Sequence, residues 1–231
     1  EDLLKRDNFG GYIKKSENKF KILSDPILNL KTSNEFEKAK KIISFLKRNY
    51  NWDGYNNVIS SKTINRFVSD KTGNSANINL FLTGALRATD IEAYPVILST
   101  RDNGKIIKQY PFLDPFNYIL VYAKVDDQWI LLDATDSFIP NNRIPIKCYN
   151  DIGLVVRKDN PKWIKIRQNR MSLKQYDFTI NFSETLDTLT GRINISSTDY
   201  KALELRKQYE DQKDEITKEF IVNMTKEEPK K

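Results

Sequence analysis

The stretch from about Ser75 or Ala76 to Ala88 constrains the fold more than any other part of the sequence. Ile78, Leu80, Phe81, Leu82, Ala85 and Leu86 put apolar side chains on most sides of a helix. Such a helix must be covered by neighbours nearly all round, so it is expected at the centre of a core. Gly73-Asn74-Ser75 reads as its N-terminal turn, with Ser75 placed to cap it. The chain has 231 residues, of which 39% are hydrophobic and 30% charged, enough for one to two folded domains with a wet surface.

A clear amphipathic helix precedes the central one. Phe36, Ala39, Ile43, Leu46 and Tyr50 recur in steps of three and four over residues 33–50, with Ile42 beside them. Ser33 or Asn34 can cap this helix. Glu35 and Glu37 lie in its first turn and Lys47 and Arg48 in its last, as the helix dipole favours. A shorter helix carrying Ile64, Phe67 and Val68 follows Ser60-Ser61. Residues 1–30 mix short apolar spots with Lys, Asn and Asp. They read as a lead-in arm with a short helix broken at Gly10-Gly11.

From residue 92 strands take over. Ala93–Ser99 reads as a strand, and Tyr118–Val125 and Trp129–Asp133 form a hairpin through Asp126-Asp127-Gln128. Gly153–Arg157 and Trp163–Arg167 read as a second hairpin around Asp159-Asn160-Pro161. Beyond about 170 the pattern changes. Tyr176–Phe182 and Leu189–Ile195 alternate apolar and polar residues as two antiparallel strands with one wet face. A charged helix from about Thr198 then carries Tyr200, Leu203, Leu205 and Tyr209, and later Ile216, Phe220 and Ile221. The expected fold class is α+β, helices packed on an antiparallel sheet. A boundary near 168–174 separates this core (31–170) from a small β-rich segment with a charged helix (171–231), expected to be truncated.

The chain contains no histidine and one cysteine, Cys148. It can therefore form no Cys–His or Ser–His pair, no histidine-based zinc site, no four-cysteine cluster and no internal disulfide. Asp114, Asp126, Asp127 and Asp136 lack the spacing of a calcium-binding EF-hand loop, and no glycine-rich phosphate loop is present. No cofactor or metal is expected. No apolar run is long enough to span a bilayer. The chain begins with Glu1 and closes in a Lys/Glu-rich stretch, so both ends read as cut and secretion stays open.

The net charge is +7, and residues 140–170 hold eight Lys/Arg against two Asp. Lys162, Lys165 and Arg167 could contact a polyanion. The reading preferred here is a strand edge protected by lysines, and nucleic acid is not favoured as a partner.

One order of elements points further: a buried helix with a small polar residue at its start, then a hairpin whose second strand ends in Asp. A helix N-terminus activates a nucleophile, and adjacent strands can carry a base and the carboxylate that orients it. In this respect the chain resembles the transglutaminase-like superfamily. The matching stretches are KTGNSANINLFLTGALRATDIEAYPVILSTRDNG (71–104) and FNYILVYAKVDDQWILLDATD (116–136). Gly73, Leu86-Arg87, Ile91 and Ala93 fit the first block, and Trp129, Leu132-Asp133 and Thr135 fit the second. The upstream EKAKKIISFLKRNYNWDGY resembles the helix these proteins carry before the core. The resemblance covers about 33–158. It is strongest to large bacterial envelope proteins in which a β-rich domain precedes the core and a smaller β domain follows.

The resemblance implies a papain-like core with nucleophile, base and orienter at Ser75, Tyr118 and Asp133. Only Asp133 keeps the family's residue type. A tyrosine hydroxyl, with an ordinary pKa near ~10, is a donor at neutral pH and not a base. A Ser–Lys pair with Lys71 or Lys62 would need a desolvated lysine. Asp133 is expected to hydrogen-bond Tyr118 or the Ala134–Asp136 turn, Trp129 to pack in the core, and Cys148 to be a small buried hydrophobe. Asp90 stands where relatives carry Gly and can take the left-handed conformation there. The expectation is a catalytically inactive domain with a binding or structural role in the periplasm or cell envelope, its partner a protein, peptide or glycan. The alternatives are an enzyme using Ser75 or Cys148 in a non-standard site, and a basic polyanion-binding module.

Overall fold

A computed structural model describes residues 2–24, 34–107, 115–168, 171–185, 187 and 189–211. Its elements run α1 (Asp2–Lys5), α2 (Gly10–Ser24), α3 (Glu35–Asn49), β1 (Asn51–Trp52), α4 (Ile64–Asp70), β2 (Thr72–Gly73), α5 (Ser75–Arg87), β3 (Ala93–Leu98), β4 (Tyr118–Val125), β5 (Gln128–Leu132), β6 (Asp151–Val155), β7 (Lys162–Ile166), β8 (Lys174–Phe182), β9 (Leu189–Ser197) and α6 (Asp199–Asp211). Residues Glu1–Arg167 form one unit and Gln168–Lys231 a second.

In the first unit every residue of α5 from Ser75 to Leu86 is buried, as its all-round apolar pattern demands. α2 and α3 cover it on one side, β3 and β4 on the other. Phe20, Phe45, Tyr50, Phe67 and Phe81 join the helices through ring contacts of 4.8–6.4 Å, mostly edge-on, as aromatic quadrupoles prefer.

The N-terminal segment behaves differently from the expected arm. Residues 10–24 form one continuous helix, and Phe9, Tyr12, Ile13 and Phe20 are buried. Gly10 does not break it. A Cβ there would lie 2.0 Å from the Leu4 carbonyl oxygen, so Gly10 allows the chain to reverse between α1 and α2. Gly84 does the same for helix packing: its absent Cβ would meet Ile13 O and Glu17 N at 2.7 Å, so the α2 backbone passes directly over α5. Seen in sequence alone, the four lysines, Glu17 and Asn18 of 14–21 dilute the stripe that α5 covers.

Local chemistry sets the ends of the elements. Asn34 caps α3, accepting from Phe36 N–H and Glu37 N–H. α5 ends in a Schellman arrangement: Ile91 N–H donates to Leu86 O and Asp90 N–H to Arg87 O, with Asp90 at φ 64°. Asp126 and Asp127, at φ 46° and 62°, close the β4–β5 hairpin.

The five-stranded sheet has the order β5-β4-β3-β6-β7 and is antiparallel throughout. Its inner face sets Ile97, Ile119, Val121 and Ala123 into the α5 core. The outer face holds a second core of Val96, Leu98, Tyr118, Leu120, Ile144, Cys148 and Val155. The second unit contains the β8–β9 hairpin followed by α6. The later part of the expected charged helix, with Ile216, Phe220 and Ile221, lies outside the described residues.

Candidate functional site

Ser75 is the first residue of α5 and fully buried. It is not the cap. Asn74 is, accepting from Asn77 N–H at 2.8 Å, while Asn77 Oδ1 accepts from Asn74 N–H at 3.3 Å in a reciprocal capping box. An amide side chain at both positions closes this box, which leaves the Ser75 hydroxyl free for another partner. Ser75 Oγ donates to Asn57 O at 3.0 Å and accepts from Asn57 N–H at 2.9 Å, tying α5 to the 53–60 loop.

Tyr118 opens β4, and Asp133 follows the end of β5. The register that pairs Val121 with Leu132 brings Tyr118 alongside the Asp133–Thr135 turn. Tyr118 Oη donates to Asp133 Oδ2 at 2.9 Å and lies 2.8 Å from Thr135 Oγ1. Asp133 Oδ1 accepts from Thr135 N–H at 2.9 Å and from Thr135 Oγ1 at 2.6 Å. Asp133 thus bonds both Tyr118 and the following turn. Burial, reinforced by the negative charge of Asp133, pushes the Tyr118 phenol well above its ordinary value. The phenol is held as a donor.

Asn79, one turn along α5 from Ser75, completes this network. Its Nδ2 donates to Asp133 Oδ2 at 2.7 Å and to Ile119 O at 2.8 Å, and its Oδ1 accepts from Ala134 N–H at 3.0 Å. No sequence motif marks Asn79 as a site residue. The available signal was the trio Asn77, Asn79 and Thr83 inside an otherwise apolar helix, since buried polar side chains need specific partners.

A second residue the sequence did not single out is Lys147. Its Nζ lies 3.9 Å from the Trp52 ring centre and 4.7 Å from that of Tyr118, and donates to Asn56 Oδ1 at 2.9 Å. Burial lowers its pKa, opposed by the nearby carboxylates of Asp133, Asp102 and Asp136. Neither lysine considered as a base for Ser75 is bonded to it, and Lys71 is exposed. Lys62 Nζ bonds Asp70 Oδ2 at 2.9 Å and Thr72 O at 2.8 Å, and Lys71 closes α4 in the left-handed conformation. Cys148 is fully buried, and burial, then the Asp133 charge, pushes its thiol well up, the reverse of an activated thiolate.

Lys162, Lys165 and Arg167 do not converge. β7 is an edge strand, Lys162 and Lys165 point to opposite faces of it, and Arg167 Nη2 lies 3.5 Å from Asp151 Oδ1. Trp129 is half-buried and stacks on Tyr122 at 4.5 Å instead of entering the core, because its place on β5 sets it diagonally from Tyr122 at the sheet surface. A cavity of about 280 Å³ opens between α3 and β5, lined by Phe36, Ala39, Ile43, Ile130 and Leu132 with Lys40, Asn141 and Asn142. None of Ser75, Tyr118 or Asp133 lines it. Asp114 lies outside the described residues. Among the described residues no three Cys, Asp or Glu gather as metal ligands, and no helix is long and apolar enough to cross a membrane.

The model of the transglutaminase-like superfamily matches residues 23–134. Among solved structures, the chain is similar to a candidate protease from Parabacteroides distasonis, with TM-score 0.51 and 17% identity over 70% of this chain and 30% of that one. It is also similar to a candidate cysteine protease from Cytophaga hutchinsonii, with TM-score 0.43 and 17% identity over 81% of this chain and 50% of that one. The chain thus spans a third or less of the first protein and half of the second. No curated protein matches it. At such identity the first likeness bears on the fold, which is the helix-on-antiparallel-sheet arrangement described above. Residues 23–134 therefore match the model of the transglutaminase-like superfamily, and the unit that contains them has an α+β core of helices on an antiparallel sheet.

Proposed function

We propose that this transglutaminase-like domain is non-catalytic and serves a structural or binding role in the bacterial cell envelope. The observation that carries the reading is the state of Ser75. Its hydroxyl is buried and both accepts from and donates to the Asn57 backbone. A hydroxyl nucleophile needs a base to take its proton, and here the proton is directed at a carbonyl oxygen. Tyr118, at the base position, directs its own proton at Asp133. The positions that would perform chemistry instead join α5, β4 and the turn after β5. A partner, whether protein, peptide or glycan, would then meet a surface other than the triad. The envelope assignment rests on the resemblance to large bacterial envelope proteins.

The likeness to candidate proteases supplies the competing reading, and a covalent probe separates the two. Folded protein treated at neutral pH with a fluorophosphonate and, separately, with iodoacetamide is expected to carry no label on Ser75 or Cys148. Labelling of Ser75 together with amidase turnover that Ser75→Ala abolishes would overturn the proposal. Recovery of the protein in the cytoplasmic fraction of its source cells would overturn the envelope assignment alone.

A further inference from the structure

The five-stranded sheet ends in two different edges. β7 carries Lys162 and Lys165, charges of the kind that keep another strand from pairing. β5 is Gln128-Trp129-Ile130-Leu131-Leu132, without charge or proline, and it pairs with β4 in unbroken register over all five residues. A regular, uncharged, apolar edge is a template for one more strand.

The register shows which backbone groups of β5 are left over. Lys124 N–H donates to Glu92 O at 2.8 Å, so Lys124 and Tyr122 direct their N–H and C=O at β3. The direction alternates along a strand. Val121, Ala123 and Val125 therefore direct theirs at β5, where they face Leu132, Ile130 and Gln128. The N–H and C=O of Trp129 and Leu131 point away from the sheet, and among the described residues none of the four has a partner.

The apolar cavity of about 280 Å³ lies beside this edge. Ile130 and Leu132 form one wall and Phe36, Ala39 and Ile43 of α3 the other, with Phe36 46% exposed. A strand added to β5 would run about 4.8 Å from it. Its residue opposite Ile130 would point to the same face as Ile130, into the cavity, while the residues on either side met the free groups of Trp129 and Leu131 in backbone hydrogen bonds. Only a peptide backbone offers donors and acceptors at that spacing. A second copy pairing through its own β5 would set Ile130 against Ile130, a side chain that already lines its own cavity, and both cavities would stay unfilled.

We propose that the β5 edge and its cavity bind an extended peptide of a partner protein by strand addition. The peptide places one large apolar residue in the cavity and keeps a backbone N–H on each side of it, so neither neighbour is proline. This gives the binding role proposed above a partner class and a surface. It stands whether or not Ser75 is catalytic, so its failure leaves the outcome of the covalent probes untouched.

The test uses the full chain and the fluorescein-labelled peptide Lys-Thr-Val-Leu-Val-Thr-Lys, whose central leucine is the apolar residue. Saturable binding is expected in anisotropy titrations, and its absence overturns the proposal. N-methylation of the two valines removes the flanking donors and is expected to weaken binding by about tenfold or more. Phe36→Asp, at an exposed position, is expected to weaken it by a similar factor, about tenfold. If the N-methylated peptide binds equally well, strand addition is overturned. If Phe36→Asp binds equally well, the cavity is not the acceptor and the proposal also falls. Amide hydrogen exchange tests the edge without the peptide. In the free chain the Trp129 and Leu131 amides are expected to exchange about tenfold or more faster than those of Ile130 and Leu132, and to slow when the peptide binds. Equally slow exchange in the free chain means that the edge is already paired, by a second copy if sedimentation shows a dimer, and overturns the proposal.

Discussion

The Tyr118 phenol donates to Asp133 Oδ2 across 2.9 Å, so the first residue of β4 is tied to the residue that follows β5. The bond is buried, and Asp133 also accepts from Asn79 and twice from Thr135. Tyr118→Phe removes one of these donors and is expected to lower stability by about 2 kcal/mol. Asp133→Ala strands the Tyr118, Asn79 and Thr135 donors together and is expected to cost more, about 3–4 kcal/mol. Urea unfolding of the two variants checks both size and order. Equal costs would mean that the network is not centred on Asp133.

Buried tyrosines set the alkaline limit. Burial raises the Tyr118 and Tyr12 phenols, and holds Tyr50 at about 12. A raised folded pKa means that the native state keeps its proton where the unfolded chain has lost it. The stabilisation is therefore complete below the unfolded value near ~10 and is lost as pH rises through the folded values. The ammonium groups of buried Lys47 and half-buried Lys147, whose pKa values desolvation lowers, act in the opposite sense. Their contribution rises with pH and is complete once the unfolded lysine value, also near ~10, is passed. The urea midpoint is expected to fall between pH 10 and 12, and Tyr118→Phe to make that fall shallower. A midpoint that stays flat to pH 12 would contradict the burial of these phenols.

Gly84 is expected to resist the replacement that helix propensity favours. Gly→Ala in a helix interior ordinarily stabilises by up to ~1 kcal/mol. Here the added methyl would meet Ile13 O and Glu17 N at 2.7 Å, both backbone atoms of α2. Gly84→Ala is expected to destabilise by about 1–3 kcal/mol, lowering Tm by several degrees in calorimetry. An unchanged or higher Tm would show that α2 can move off α5 freely.

The start of α5 depends on an amide. Asn74→Ala removes the acceptor for Asn77 N–H and the donor to Ile59 O. It is expected to cost about 2 kcal/mol, at the upper end for an N-cap. Asn74→Asp restores the acceptor and is expected to recover about half of that loss. Thermal melts of the two variants give the comparison, and equal losses would remove the cap from the account.

Most of the first unit's skeleton is legible without coordinates because its signals are local. The three-four steps of Phe36, Ala39 and Ile43 report one helical face, and the all-round apolar run of α5 reports a centre. Asp126-Asp127 reports a turn whether or not the strands it joins are known. The start of α2 is not legible for the opposite reason: Gly10 looks like a breaker in sequence, and only the fold places Leu4 O where a Cβ would have been.

The candidate site divides along the same line. From sequence alone it follows that no histidine–nucleophile pair exists, and the resemblance alone implies that Ser75, Tyr118 and Asp133 stand at the three family positions. Those are statements about residue identity, which needs no geometry. Which atom each side chain bonds was decided only by the fold: Ser75 to Asn57, Tyr118 to Asp133, Asn79 to both β4 and the turn after β5, Lys147 between two rings. These partners lie 15 to 95 residues away, and a hydrogen bond depends on a few tenths of an ångström that chain order does not encode.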